Sequence, residues 1–262
     1  MDEAIVDQAR KALAAVLRQT ALRCGGVVEE DEALLLVAAN HPCPVFVNSA
    51  IRIGAIDASE AISRARAFFG KLGRGWETWV RERADADLEQ AAQAQNMVAA
   101  PVLVGMIAES APDLPKPRPG VGVRRVMDLQ GLQDFRVVAA DGFREEAPGL
   151  ADLIHAVFSQ PRVLLAADTA AFVVHYGGQP ASTAMVMLQE DIAWIGWVAT
   201  RLSCRRLGLG GLATAAATRA GFALGAKFAS LEATEMGVPV YLRLGFREIA
   251  RYRNYWPAGL GT

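Results

Sequence analysis

Three observations predict a layered α/β or α+β fold. Strand-length apolar runs alternate with longer amphipathic runs along the whole chain. A rough order of three strands, helix, strand, helix, strand can be read twice, once on each side of APDLPKPRPG (111–120), which holds four prolines in ten residues. Near the C-terminus, a glycine cluster opens a segment of small residues, CRRLGLGGLATAAATRAGFALG.

The elements follow in order. MDEAIVDQARKALAAVLRQT is an amphipathic helix over about 3–20, and short strands follow near 25–30, 33–39 and 45–53. IDASEAISRARAFFGKLG is a helix, with Asp57 and Glu60 at capping-box spacing. GWETWVRE reads as a strand, DADLEQAAQAQ as a helix and APVLVGMI as a strand. Proline fixes φ and removes a backbone donor, so 111–120 is assigned as a linker between 1–110 and 121–262. Beyond it, VGVRRVM is a strand, and LQGLQDFRVVAADGF and APGLADLIHAVFS are helices. AAFVVHYGG, PASTAMVMLQE and DIAWIGWVAT are successive strands. After the glycine loop come a helix to about Gly225, the strand KFASLEA, a short helix ending near Leu244 and a last strand, FREIARYRNYW.

The bulk numbers bound the function. The 262 residues suffice for one large domain or two small ones. With 27 basic against 28 acidic residues, net charge gives no argument for a nucleic-acid partner. Three scattered cysteines, Cys24, Cys43 and Cys204, make neither a disulfide framework nor a zinc site, so no metal is expected. The N-terminus lacks the basic start of a signal peptide, and no apolar run reaches membrane-spanning length. The expectation is a soluble cytoplasmic protein with no membrane partner. An oligomer is left open.

The glycine cluster carries the chemistry. Glycines let a ligand approach the main chain, and a helix starting near Leu209–Gly211 presents unpaired N–H groups and a positive dipole end. Arg201, Arg205 and Arg206 bring full charge to the same loop, so the arrangement reads as an anion cradle for a phosphate or pyrophosphate. The plain alternative is a glycine-softened turn with solvated arginines. GLGGLA also fits a dinucleotide fingerprint through Gly208, Gly210 and Ala213, with Glu232 about 20 residues on. Against that reading, TRLSCRRL separates the preceding strand from the glycines, and too little chain follows for a doubly wound sheet. No Gly-Lys-Ser/Thr follows, which excludes a nucleotide-triphosphate P-loop.

The run from Val198 to Phe246 resembles the central motifs of the GNAT superfamily of acyl-coenzyme A-dependent N-acyltransferases. Arg205, Gly208 and Gly210 match its Arg/Gln-x-x-Gly-x-Gly/Ala signature, and Tyr241 stands ahead of Leu244, Gly245 and Phe246 as a family tyrosine does. The resemblance covers roughly 121–256. It implies a central mixed sheet flanked by helices, with 121–262 as the acyl-coenzyme A-binding domain. It further suggests that 1–110 is a degenerate second GNAT-like lobe, in which IRIGAIDASEAI replaces the arginine-glycine loop and no coenzyme site is expected.

By this resemblance, acetyl-CoA is the cosubstrate. The loop from Arg205 and Arg206 through Leu207, Gly208, Leu209, Gly210 and Gly211 to Leu212 would hold its pyrophosphate. Trp197, Val198, Ala199 and Thr200 would pair with its pantetheine arm, in a slot splayed by a bulge between that strand and KFASLEA. A main-chain N–H near Val198 would serve the oxyanion. Tyr241 is the candidate general acid for the leaving thiolate, since a phenol with a reference pKa of about 10 holds its proton at neutral pH.

DIAWIGWVAT carries no acid in its middle, where several family members place one, so Glu232 and Glu235 are the candidate bases, with water as a relay. Tyr252, Tyr255 and Trp256 would line an acceptor pocket or shield a sheet edge, and Trp76 and Trp79 would face opposite sides of their strand. The expected function is transfer of an acetyl (acyl) group from acetyl-CoA to a primary amine of a small molecule or protein. The alternatives are a non-catalytic acyl-CoA sensor or scaffold and, third, a dinucleotide-binding protein.

Overall fold

A computed structural model describes residues 3–43, 46–146 and 149–258. In chain order the elements are α1 (Glu3–Arg23), β1 (Val27–Glu30), β2 (Leu34–Ala38), β3 (Asn48–Arg52), α2 (Ala58–Leu72), β4 (Glu77–Arg81), α3 (Ala86–Ala94), β5 (Met97–Ala99) and β6 (Leu103–Ala108). After the proline-rich segment come β7 (Val121–Arg125), α4 (Leu129–Phe143), α5 (Leu150–Val157), α6 (Pro161–Leu164), β8 (Thr169–Tyr176), β9 (Gln179–Gln189) and β10 (Ile192–Thr200). A 3₁₀ turn (Leu202–Cys204) then leads into α7 (Leu209–Ala223), β11 (Phe228–Ala233), α8 (Val238–Arg243) and β12 (Arg247–Pro257). The sequence reading missed the short β5 and α6.

The strands form one mixed sheet in the order β1-β2-β3-β4-β12-β6-β11-β10-β9-β8-β7, with β5 also on β12. Among the described residues, only β3 with β4 and β10 with β11 run parallel. Each half therefore builds an antiparallel set, crosses over through one helix (α2 or α7) and adds a parallel strand. The terminal strands are exchanged: β12 lies on β4, β6 lies on β11, and β6 and β12 pair with each other. The sheet consequently runs unbroken through both halves of the sequence. It also makes β12 an interior strand, so Tyr252, Tyr255 and Trp256 do not shield an edge.

Period-2 alternation sends each strand's side chains to two cores. On one face Leu35, Val37, Trp79, Ile107, Trp194 and Tyr252 pack under α1, α4, α5 and α6. On the other face Leu34, Leu36, Trp76, Val80 and Tyr255 meet α2 and α3, while Met106, Ala193, Ile195 and Leu231 meet α7 and α8. Trp76 and Trp79 thus face opposite sides, as their spacing predicts. The Asp57 carboxylate accepts from the Ser59 and Glu60 amides and starts α2. The alanines of α7, with Ala213, Ala215 and Ala217 fully buried, let that helix lie close on β9 and β10.

Candidate functional site

β10 and β11 pair only from Ile192–Phe228 to Trp194–Ser230. Beyond Trp194 the strands part, and among the described residues β10 has no strand partner on that side. The bulge expected between these two strands lies instead on the other edge of β10. Trp197 and Val198 are fitted between the Gly196–Met185 and Ala199–Thr183 pairs with β9, and Trp197 takes φ 52°. The extra residue bends β10 away from β11. Thr183 Oγ1 donates to the Trp197 carbonyl at 3.1 Å and Ser182 Oγ to the Ala199 carbonyl at 2.7 Å, so β9 hydroxyls hold the bulge. The Trp197 ring is locked among Phe46, Phe143 and Phe158, with centroids 4.9–5.9 Å away.

The gap opens into a cavity of about 910 Å³. Its wall brings together Trp197, Val198, Ala199, Thr200, Arg205, Arg206, Gly208, Leu209, Gly210, Gly211, Glu232 and Tyr241. Leu207 and Leu212 border a smaller recess of about 160 Å³ beside it, shared with Gly208, Leu209 and the proline-rich segment. Glu235 is exposed in the turn beyond β11 and belongs to neither wall. Glu190 is exposed at the β9–β10 turn, and Asp191 beside it pairs with Lys227 at 2.8 Å.

The start of α7 carries no side-chain cap. Gly208 stands at its N-cap with φ 81°, a conformation that strains any residue with a Cβ. Gly208, Leu209, Gly210 and Gly211 line the cavity, so the first-turn N–H groups that helix geometry leaves without an intrahelical partner belong to cavity-wall residues. Arg205 serves the scaffold, with Nη2 donating to the Gly142 carbonyl at 3.0 Å. Arg118, Arg206 and Arg243 are exposed, line the cavity and form no ion pair among the described residues. Arg118 comes from the proline-rich segment, which Arg219 holds to α7 by donating to the Pro112 carbonyl at 3.1 Å. The sequence reading named neither Arg118 nor Arg243.

Two groups with proton-transfer chemistry stand on opposite faces of the gap. Tyr241 is buried among the α7-side residues and packs edge-on to Phe246 at 6.0 Å. Burial and then the Glu146 charge push its hydroxyl above the usual phenol range. Glu232 lies on the α1 side, where the Trp194 indole Nε1 donates to its Oε2 at 2.8 Å. Burial raises the Glu232 carboxyl to about 7, with the indole bond holding it back. Trp194 can fold over the strand because residue 196 is glycine; a Cβ there would overlap the indole.

Glu146, just beyond α4, is a further cavity carboxyl, and no motif lies close enough to it in sequence to single it out. It stands exposed in the turn after α4, lines the cavity and lies within range of the Arg205 charge, which favours its ionised form. Tyr252 is buried close enough to Glu232 for that charge to raise its hydroxyl further. Among the described residues no group of three or more His, Cys, Asp or Glu could hold a metal ion, and no helix is long and apolar enough to cross a membrane.

The corresponding places in the first half are filled from within. Asp57 caps α2. At the end of β3, Arg52 reaches Asp85 and Asp87, each at 2.6 Å, and so ties β3 to the start of α3. Arg10 Nη2 donates to the Arg52 carbonyl at 2.6 Å.

No protein-family model matches the chain, and no curated protein matches it in sequence. Solved structures do match in fold. A GCN5-related N-acetyltransferase from Kribbella flavida superposes with a TM-score of 0.72 at 21% identity, covering 94% of this chain and 95% of that one. A GCN5-related N-acetyltransferase from Sphaerobacter thermophilus gives 0.62 at 12% identity, over 87% and 81%. A tandem GNAT protein from the clavulanic acid biosynthesis pathway gives 0.58 at 14% identity, over 90% and 79%. The chain therefore has the GNAT fold, with a mixed sheet flanked by helices as the motif resemblance implies.

Proposed function

On the GNAT fold, we propose that this protein transfers an acyl group, in the first instance acetyl from acetyl-CoA, to a primary amine. The observation that carries the proposal is the uncapped start of α7 at Gly208, opening onto the gap where β10 leaves β11. Bare amides with the unpaired Arg118, Arg206 and Arg243 fit a pyrophosphate, and the free edge of β10 from Gly196 to Thr200 fits an extended amide-containing arm. In this reading 121–262 holds the coenzyme, and 1–110 is a degenerate GNAT-like lobe that helps shape the acceptor side.

Glu232 takes the proton from the amine as its nitrogen attacks the thioester carbon. A carboxyl near 7 is matched to that task at neutral pH. Tyr241 gives its proton to the departing thiolate, and its raised pKa keeps that proton in place until it is needed. Glu146 acts through Tyr241, its charge favouring the protonated phenol.

Saturating acetyl-CoA should raise the melting temperature. At a hundred times Kd the gain is about 2.7 kcal/mol, or roughly 5–11 °C for a chain of this size. NAD should give no shift. A shift with NAD and none with acetyl-CoA would favour the dinucleotide reading. Binding of acetyl-CoA without turnover on any amine would favour a sensor.

A further inference from the structure

The cavity continues past the Trp194–Glu232 pair to the underside of α1. Leu13, Val16, Leu17 and Thr20 line it there, at spacings i, i+3, i+4 and i+7 that put them on one stripe of the helix. Phe46 and Trp79 close the far wall. This end of the cavity thus has apolar walls, one hydroxyl and one carboxyl, Glu232. The charged groups behind these walls are engaged: Glu77 accepts from the Phe46 amide at 2.9 Å, Arg10 meets Asp85 at 3.5 Å, and Arg81 meets Glu3 at 2.8 Å.

Resting on the acyl-transfer reading above, we infer that the acceptor is a monoamine carried on an apolar body, aryl-alkyl or branched alkyl, seated beneath α1 with its nitrogen at Glu232. A carboxylate on the acceptor would have no cation to meet at this end. A polyamine would bury charges beyond the one that Glu232 can receive. Either costs several kcal/mol without a partner. An acyl chain would fit the same walls but would bury Glu232 against hydrocarbon, whereas an amine gives that carboxyl a proton to accept. In the transfer, the N–C bond forms and the C–S bond breaks. The amine proton passes to Glu232, and the thiolate takes a proton from Tyr241.

The test measures acetyl-CoA-dependent thiol release with 2-phenylethylamine, isoamylamine, phenylalanine, spermidine and a lysine peptide, alongside calorimetric Kd values for acetyl-CoA and octanoyl-CoA. The two apolar amines should exceed the other acceptors in kcat/KM by about 100-fold, the scale of burying an unpaired charge. Leu17→Asp should remove most of that preference and leave the acetyl-CoA Kd unchanged. Phe46→Ala, a second variant on the opposite wall, should shift the preference toward bulkier amines. Equal turnover of phenylalanine or spermidine, or no turnover of either apolar amine while acetyl-CoA still binds, overturns this inference alone. Octanoyl-CoA binding tenfold tighter than acetyl-CoA, with the gain lost in Leu17→Asp, would assign the walls to an acyl chain and also overturns it. Absence of acetyl-CoA binding overturns the acyl-transfer reading with it.

Discussion

Trp194 and Glu232 join the two strands at the point where they part, through an indole N–H to carboxylate bond of 2.8 Å. That bond is the main specific stabiliser of the Glu232 charge against burial. The rate should therefore rise with pH through about 7, as Glu232 loses its proton and becomes a base. Trp194→Phe removes the donor, disfavours the charged form and should move the rising limb to higher pH by about one unit, the scale of one hydrogen bond to a charged group. Glu232→Gln should lower kcat/KM by on the order of 10²–10⁴. A limb that stays in place in both variants would remove Glu232 from the proton path.

Tyr241→Phe keeps the ring against Phe246 and loses only the hydroxyl. Turnover should fall by on the order of 10²–10⁴, with the acetyl-CoA Kd close to wild type. Gly210→Trp should do the reverse. Even a Cβ at residue 210 would stand 3.2 Å from Thr200 Oγ1, and an indole would fill the approach to the α7 amides, so calorimetry should find no acetyl-CoA binding.

One coenzyme site per chain is expected. Asp57 occupies the amides at the start of α2 and Arg52 with Asp85 bridges the end of β3, whereas Gly208 leaves α7 open. Calorimetric titration with acetyl-CoA should give a stoichiometry near one. Two sites per chain would show that the first half binds as well.

Glu77 is 2% exposed, accepts from the Phe46 amide at 2.9 Å and is raised by burial to about 7. A carboxyl whose folded pKa lies above its ordinary 4.5 binds more protons folded than unfolded between those values. Its contribution is full below 4.5 and is lost as pH rises through about 7. Glu77→Gln cannot ionise, so its stability relative to wild type should improve between pH 5 and pH 8, by on the order of 1–3 kcal/mol. Equal differences at the two pH values in denaturant titrations would refute the assignment.

The sequence by itself determined the major elements, because their signals are local. The period of apolar side chains sets helix or strand, Asp57 caps α2, and Gly208 with Gly210 marks the start of α7. Motif spacing also marked the glycine loop and Tyr241, while it left Glu232 and Glu235 side by side as candidate bases. Only the tertiary structure decided that β6 and β12 are exchanged between the halves, since each strand's alternation is satisfied beside any neighbour of matching faces. Only it separated Glu232 from Glu235, because Glu232 is half-buried within β11 and bonded to Trp194, whereas Glu235 is exposed in the turn beyond. Glu146, Arg118, Phe46 and the α1 stripe come to one cavity from distant parts of the chain. Their convergence is a property of packing, which no local pattern encodes.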